Sequence, residues 1–522
     1  MPFGVIVFIL VALILLAVFM LLRTSPHLKV SDHVRQVELP AVNGEKIAQN
    51  LSEIIRCETV SVDGDPTANL AQLREMRRLL EDQYPLLHRT LDREIVSDAS
   101  LLYRWRGSNL ELPAVLFAAH MDVVPADPGT LDQWTHPPFS GHMDDEFIWG
   151  RGTLDIKGQI TALMDAVEYL IGQGFKPERT LYLAFGQDEE VGGQHGAAEI
   201  VNYLSARGES LEAVVDEGGG ITEGHLPALR ILVAISEMVA MVGNAEKGHL
   251  TLNITAHAKP GHSARPGKTS AIGILANAIQ KIEANPLPAH LDHLRDVYQS
   301  LGGSVDFLTQ LRFANTWLFG PWLKQKYSAE PATNAAIRTT TAVTMVSGGV
   351  KDNILPASAS AKVNYRLLPG DTVADVTEYT RLVIGDKRVT IDANPADCWE
   401  ASPAAPIHGS AFRCLSRSIK EIFNNVEVVP YLVQGATDAR YYATICDQVF
   451  RFTPIITTRD MEGLEHGIDE RIRKGSLTRM VQFYAHLINN WAGPDGMDIC
   501  EPVAHVEEML PEDVEESVSD AE

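Results

Sequence analysis

Three acids stand in a row at Asp188, Glu189 and Glu190, within the stretch LAFGQDEEVGG. The apolar run Leu181-Tyr182-Leu183-Ala184-Phe185 leads into them, and Gly192-Gly193 follows. Adjacent carboxylates repel one another, so such a run at the end of a strand calls for a compensating cation. Other apolar runs end in comparable residues. Residues 115–119 are followed by His120 and Asp122 in HMDVVP, and residues 213–215 by Asp216 in DEGGG. Asp155 sits in GRGTLDIKG just before a helical pattern, and His466 in GLEHGIDE precedes the last one. Imidazole and carboxylate suit zinc, each ion takes about four ligands, and one carboxylate can bridge two ions. Two ions roughly 3.5–4 Å apart polarise a carbonyl and activate a shared water. His120, Asp155, Glu190, Asp216 and His466 supply five ligands for such a pair. Adjacent residues leaving a strand point in different directions, so Glu189 is left over as general base. Asp122, two residues after His120 on the same side of an extended segment, is placed to hold the imidazole. Taken singly, each residue has a plainer reading: a capping or core histidine, a solvated acidic loop, a helix N-cap. Taken together at the strand ends of one sheet, they argue for a site.

The elements that must position these residues alternate. Residues 101–106, 114–119, 180–185 and 211–215 read as strands, and 159–173 and 197–206 as helices. That pattern predicts an α/β sheet flanked by helices, whose sites form at the carboxyl ends of the strands. A different order follows: strand 249–258, helix 269–284, strands 339–346 and 359–367, helix 373–384, strand 388–393. This is the split βαβ, ferredoxin-like plan, and it predicts a second domain inserted into the first. Between its first helix and second strand lies a long stretch, 285–338, carrying Trp317, Phe319 and Trp322. Insertions of that length are usually functional or partner-facing. The first domain resumes near Pro403, with helices at 410–423 and 474–490.

Bulk properties bound the reading. A chain of 522 residues is too long for one core. Its 44 basic and 68 acidic residues give a net charge of −24, which disfavours a nucleic-acid binder. The segment 501–522 holds nine acids and no Lys or Arg, and reads as a solvated, disordered tail. Five scattered cysteines without a C-x-x-C pair offer no cysteine zinc site or disulfide framework. Residues 2–22 are apolar and uncharged, long enough to span a bilayer core of about 30 Å. They lack the basic n-region and small-residue cleavage site of a signal peptide, so an uncleaved anchor is expected. The basic residues after the span, Arg23, Lys29 and Arg35, taken alone place the globular part in the cytoplasm.

Nine motifs then fall in the order of a known family: HMDVVP, GRGTLDIKG, GQDEEVGG, VVDEGGG, GHSARP, NILP, NYRLLPG, GATDARYY and HGIDE. Together they resemble peptidase family M20, the co-catalytic zinc amidohydrolases, over about 37–490. THPPFSG, NTWLFGPWL and AIRTTTAVTM resemble its carboxypeptidase S branch, which includes N-fatty-acyl-amino-acid synthase/hydrolases. The resemblance implies a zinc-peptidase-like, doubly wound mixed sheet with an inserted ferredoxin-like lid or dimerisation domain. The chain would divide into an anchor (2–22), a catalytic domain in two parts (31–243 and 395–495), the lid (244–394) and the acidic tail (501–522). Asp155 would bridge two Zn2+ ions, with His120 and Asp216 completing one site and Glu190 and His466 the other. Glu189 would be the base, and His262 the lid histidine that steadies the oxyanion, supplied by the other subunit in dimeric relatives. Asn353 and Arg366 would orient the substrate and grip its free carboxylate. One departure is Ile156, where much of that branch has an acid after the bridging Asp. The implied activity is hydrolysis of N-acyl amino acids or of C-terminal peptide residues. The rival from another class is a non-catalytic binding protein on the same fold. The resemblance also implies a non-cytoplasmic catalytic domain and a possible homodimer through the lid.

Overall fold

The computed structural model describes residues 3–28, 37–223, 238–395, 398–461 and 463–494; the acidic tail and Cys500 lie outside them. The centre is a mixed sheet of ten strands. Ala114–His120 runs parallel to Leu181–Gly186 on one side and to Leu211–Asp216 on the other. The first two of these strands are buried at every residue. Burial on both faces is why they read as unbroken apolar runs rather than alternating ones. Ser100–Trp105 and Asp92–Val96 extend the sheet antiparallel at one end. At the other, Val449–Arg451 leads to Met238–Glu246 and its parallel partner Val426–Val433.

Successive side chains of a strand face opposite ways. Val115, Phe117 and Ala119 pack into one core with the helices Lys157–Gly172 and Lys474–Ala492, while Leu116 and Ala118 pack into another with Ala197–Ala206. These two layers fix the strand ends in space, and with them the side chains that follow.

The second domain has a separate antiparallel sheet in the order Thr340–Gly348, Ser358–Leu367, Gly248–His257, Val389–Ala393. Helices Ala271–Ala284 and Val373–Ile384 cover one face of it. Gly248–His257 alternates buried and half-exposed residues, as a strand covered on one face does. Residues 285–338, expected inside this domain, pack elsewhere. They form four helices, Asp292–Leu301, Phe307–Ala314, Thr316–Tyr327 and Pro331–Ile337. Leu294, Val297, Tyr298, Phe313 and Leu323 share a core with Val239, Met241 and Val429 of the main sheet. The apolar helix Phe3–Thr24 stands exposed except at its last turn, where Thr24 is buried.

A buried ion pair ties the middle of the sheet together. Arg451 is fully buried, its Nε donating to Glu246 Oε2 at 3.1 Å, and Thr437 Oγ1 donates to the same oxygen at 2.8 Å. Removing one partner of a buried pair costs about 3–5 kcal/mol, whereas apolar replacement of both is close to neutral. Glu246→Ala is expected to lower the urea midpoint sharply. The double change Glu246→Leu/Arg451→Met should recover much of the loss.

Candidate metal centre and substrate cleft

Asp155 sits between two imidazoles. Its Oδ1 lies 3.0 Å from His120 Nε2 and its Oδ2 2.7 Å from His466 Nε2. Each imidazole has a second carboxylate at 3.4 Å: Glu217 Oε2 beside His120, and Glu190 Oε1 beside His466. Metal-donor atoms come within 4.8 Å of one another in two groups, His120 with Asp155 and Glu190, and His120 with Glu189 and Glu217. The adjacent acids Glu189 and Glu190 therefore serve different groups, as their alternation at the strand end requires.

Glu217, and not the expected Asp216, stands beside His120. Asp216 is the last residue of its strand, in register with Arg451, and its Oδ2 is buried without a hydrogen bond. The next residue, Glu217, faces the other way and reaches His120, and Gly218, Gly219 and Gly220 after it all take positive φ. The proton affinity of Asp216 is raised by burial to about 6.

The support around the centre is built from backbone. His120 Nδ1 donates to the Asp122 carbonyl at 3.0 Å, which fixes the ring so that Nε2 faces Asp155 Oδ1. The Asp122 carboxylate, expected to hold the imidazole, lies 3.4 Å from Nδ1 and accepts the amides of Glu189 at 3.1 Å and Glu190 at 3.2 Å. It thus positions both acids at once. Glu470 does the same for the Asp155 loop: its Oε1 accepts the amides of Gly152 and Leu154, both at 2.9 Å, and its Oε2 pairs with Arg151 at 2.6 Å. Arg151 also donates to the His466 carbonyl at 3.1 Å. His466 itself takes a φ of 58°, uncommon for a residue with a side chain. Gly193, φ 68°, has no room for a Cβ, which would meet Asp438 Oδ1 at 2.1 Å. Ile156, after the bridging position, is buried in the main core, where an acid would be desolvated.

The charge balance calls for cations. Burial pushes Glu189 and Glu217 well above the usual carboxylate range, and Glu217 raises Glu189 further. His466 is pushed up to about 10, by its hydrogen bonds to Asp155 and then Glu190. Burial works against an ionised Asp155, but the hydrogen bonds from His120 and His466 outweigh it and hold its carboxyl low. Alone, these side chains must keep protons on carboxylic acids and positive charge on imidazoles. Divalent cations among the same atoms supply that charge directly, so the donor set fits a pair of zinc ions.

A cleft of about 1350 Å³ opens on Glu190 and runs between the two domains. Glu190, Gly192, Arg440 and Tyr441 line one side, and His249, Thr344 and Lys362 the other. Trp399 lies in it, stacked with His249 at 4.7 Å and carrying the Arg440 guanidinium over its ring at 4.4 Å. Arg440 donates to the Gly192 carbonyl at 2.6 Å. Arg366 is half-buried in register with His249, and burial, then the charge of Arg440, lowers its proton affinity. Lys247 falls to about 7 through burial and then the charge of Arg366. His262 and Asn353 sit together on a short exposed ribbon, where Ser263 N–H donates to the Asn353 carbonyl at 3.1 Å. Among the described residues, no hydrogen bond or ion pair joins His262 to the carboxylate cluster. Glu217, Glu470, Arg440 and Trp399 were not singled out from sequence; Glu217, Glu470 and Arg440 stood inside the motifs DEGGG, GLEHGIDE and GATDARYY.

Comparison with known proteins places the chain in a family. The model of "Peptidase family M20/M25/M40" matches residues 116–490. The chain is 36% identical over 493 residues to "Probable carboxypeptidase S-like 2" of Dictyostelium discoideum, covering 92% of each. It is 35% identical to "N-fatty-acyl-amino acid synthase/hydrolase PM20D1" of Xenopus tropicalis, covering 87% of each, and 31% identical to "Carboxypeptidase S" of Saccharomyces cerevisiae, covering 86% of this chain and 85% of that one. Among solved structures, the M20 family metallo-carboxypeptidase Sso-CP2 from Sulfolobus solfataricus superposes with a TM-score of 0.60 at 16% identity, covering 85% of this chain and 98% of that one. Human carnosine dipeptidase 1 follows at 0.56 and 16% identity, covering 85% and 96%.

The exchange of Asp216 for Glu217 is open to direct test. Zinc content is expected to fall by about one ion per chain in Glu217→Gln. It should hold at the wild-type level in Asp216→Asn. Atomic absorption on the purified variants reads both.

Proposed function

The chain belongs to peptidase family M20/M25/M40 and is a metallohydrolase of that family. From that premise we propose that it cleaves the amide bond of N-acyl amino acids bearing a free carboxylate, long-chain fatty acyl groups included. One observation carries the reading. Arg440 and Lys362 line the cleft that ends at Glu190, and half-buried Arg366 feels the charge of Arg440. Cations gathered against their own repulsion make an anion site, and the planar fork of arginine suits a carboxylate.

His120, Asp155 and Glu217 would hold one zinc ion, and Asp155, Glu190 and His466 the other. Bound there, the pair would supply Lewis-acid polarisation of the substrate carbonyl and acidification of water. Glu189 takes the proton from the attacking water and returns it to the leaving amine nitrogen. Arg366, with Asn353, grips the carboxylate and so sets the distance from it to the scissile amide. His262 stabilises the oxyanion. Its exposed place favours delivery by a second copy. The edge strand Thr340–Gly348 supports such a dimer, with Met345 and Val346 exposed and its outer side unpaired. The apolar N-terminal helix is a signal or an anchor. We read it as an uncleaved anchor, with the catalytic domain outside the cytoplasm.

Removal of C-terminal peptide residues is the second reading, and the carboxypeptidase S relatives favour it. A cleft of about 1350 Å³ exceeds the roughly 300–1,000 Å³ of common ligand pockets, which favours a long acyl group over a short dipeptide. A non-catalytic role is opposed by the presence of every ligand and of Glu189.

Glu189→Gln is expected to keep its zinc and lose about 10²–10⁴-fold in kcat; activity near wild type would remove Glu189 as base. Rates on N-oleoyl phenylalanine, N-acetyl phenylalanine and a dipeptide test the substrate class. The oleoyl compound should give the highest kcat/KM, and a dipeptide preference would transfer the chain to the second reading.

A further inference from the structure

The helices inserted at 292–337 carry an apolar face that the main core does not use. In Thr316–Tyr327, Gly320, Leu323 and Tyr327 face inward, at helical spacing. Trp317, Leu318, Pro321 and Trp322 form the opposite stripe and are exposed, Trp317 at 52% and Trp322 at 46%. Phe307 and Leu308 are exposed on the neighbouring helix. An exposed apolar patch of this kind marks a contact surface.

The apolar N-terminal helix shows what covers it. Its last turns dock on these same helices. Asn315 Nδ2 donates to the Met20 carbonyl and to Thr24 Oγ1, both at 3.3 Å, and Arg23 Nε donates to the Ala314 carbonyl at 3.3 Å. Phe19 meets Trp317 edge-on, with ring centroids 6.0 Å apart. Phe19 lies inside the uncharged run, whose first charge is Arg23. At 1.5 Å per residue it is about 7 Å from the helix end. If Phe3–Thr24 spans a bilayer, the groups touching Phe19 and Met20 lie at the depth of the membrane boundary.

The chemistry of the face matches that depth. Residues 307–329 hold Arg312, Lys324 and Lys326 and no acid, in a chain of net charge −24. Arg312 and Lys326 stand over the Trp322 ring at 5.2 and 5.5 Å. Tryptophan with basic side chains reaching outward around it is the composition of a headgroup boundary.

We propose that the face formed by Phe307, Leu308, Trp317, Leu318 and Trp322 is a lipid-docking surface that seats the catalytic domain on the bilayer beside its anchor. The proposal rests on reading the apolar helix as a retained membrane span. Such seating holds the enzyme against the phase in which an amphiphilic substrate concentrates.

The test uses the full chain reconstituted into phosphatidylcholine vesicles with plain or dibrominated acyl chains, bromine quenching tryptophan only on contact. Emission is expected to be lower in the brominated vesicles, and the difference to vanish in Trp317→Phe/Trp322→Phe. These conservative changes lie on the surface, and an unchanged urea midpoint confirms the fold. Equal emission in both vesicles, or a difference that persists in the double variant, would overturn the proposal. The intact mass of the reconstituted chain separates the two failures. A chain cut after the apolar helix removes the span and the depth argument with it, whereas a retained helix without quenching removes the docking surface alone.

Discussion

One carboxylate shared by two imidazoles organises the catalytic domain. Asp155 offers one oxygen to His120 and the other to His466, residues far apart in the chain. The contact exists only while the loop before the helix Lys157–Gly172 and the segment before Lys474–Ala492 are clamped together. Glu470 makes that clamp by accepting amides from the Asp155 loop and pairing with Arg151. The short strands Phe147–Trp149 and Arg471–Arg473 pair just beside it. Burying Glu470 raises its proton affinity to about 7, so the clamp is an expensive arrangement that packing alone would not select. Its geometric return is a fixed donor set.

The same logic runs through the neighbouring acids. Asp122 spends its carboxylate on two backbone amides and its carbonyl on His120, so a single residue aligns the ends of two parallel strands. The crowding of Glu189, Glu190, Glu217 and Asp438 would destabilise a protein without cations. The second domain brings the opposite sign, with Lys362 lining the cleft across from Arg440. The acidic centre and the basic side chains of the cleft thus meet at Glu190, which shares the cleft with Arg440 and Lys362.

Much of this was legible in the residues. The strands at 114–120, 181–186 and 211–216 and the order of the second domain show as apolar runs and alternation, and the strand ends carry His120, Glu189, Glu190 and Glu217. Four things were not legible. Which of Asp216 and Glu217 stands beside His120 is a matter of parity at a strand end, which an apolar run followed by two adjacent acids leaves open. Val426–Val433 contains Pro430, which argues against a strand; its place at the margin of the sheet, paired to Met238–Glu246 alone, tolerates it. Within 285–338 the helix Thr316–Tyr327 hides its period because it is apolar on both faces, one against the core and one exposed. The Arg151–Glu470 clamp has no local signature, since its members meet only in the folded chain.

The central claim is that Asp155 bridges two metal ions. Anomalous diffraction at the zinc edge from crystals grown with zinc measures it directly. The account predicts two peaks, one between Asp155, His120 and Glu217 and the other between Asp155, Glu190 and His466. A single peak, or a pair that leaves Asp155 outside both coordination spheres, would contradict it.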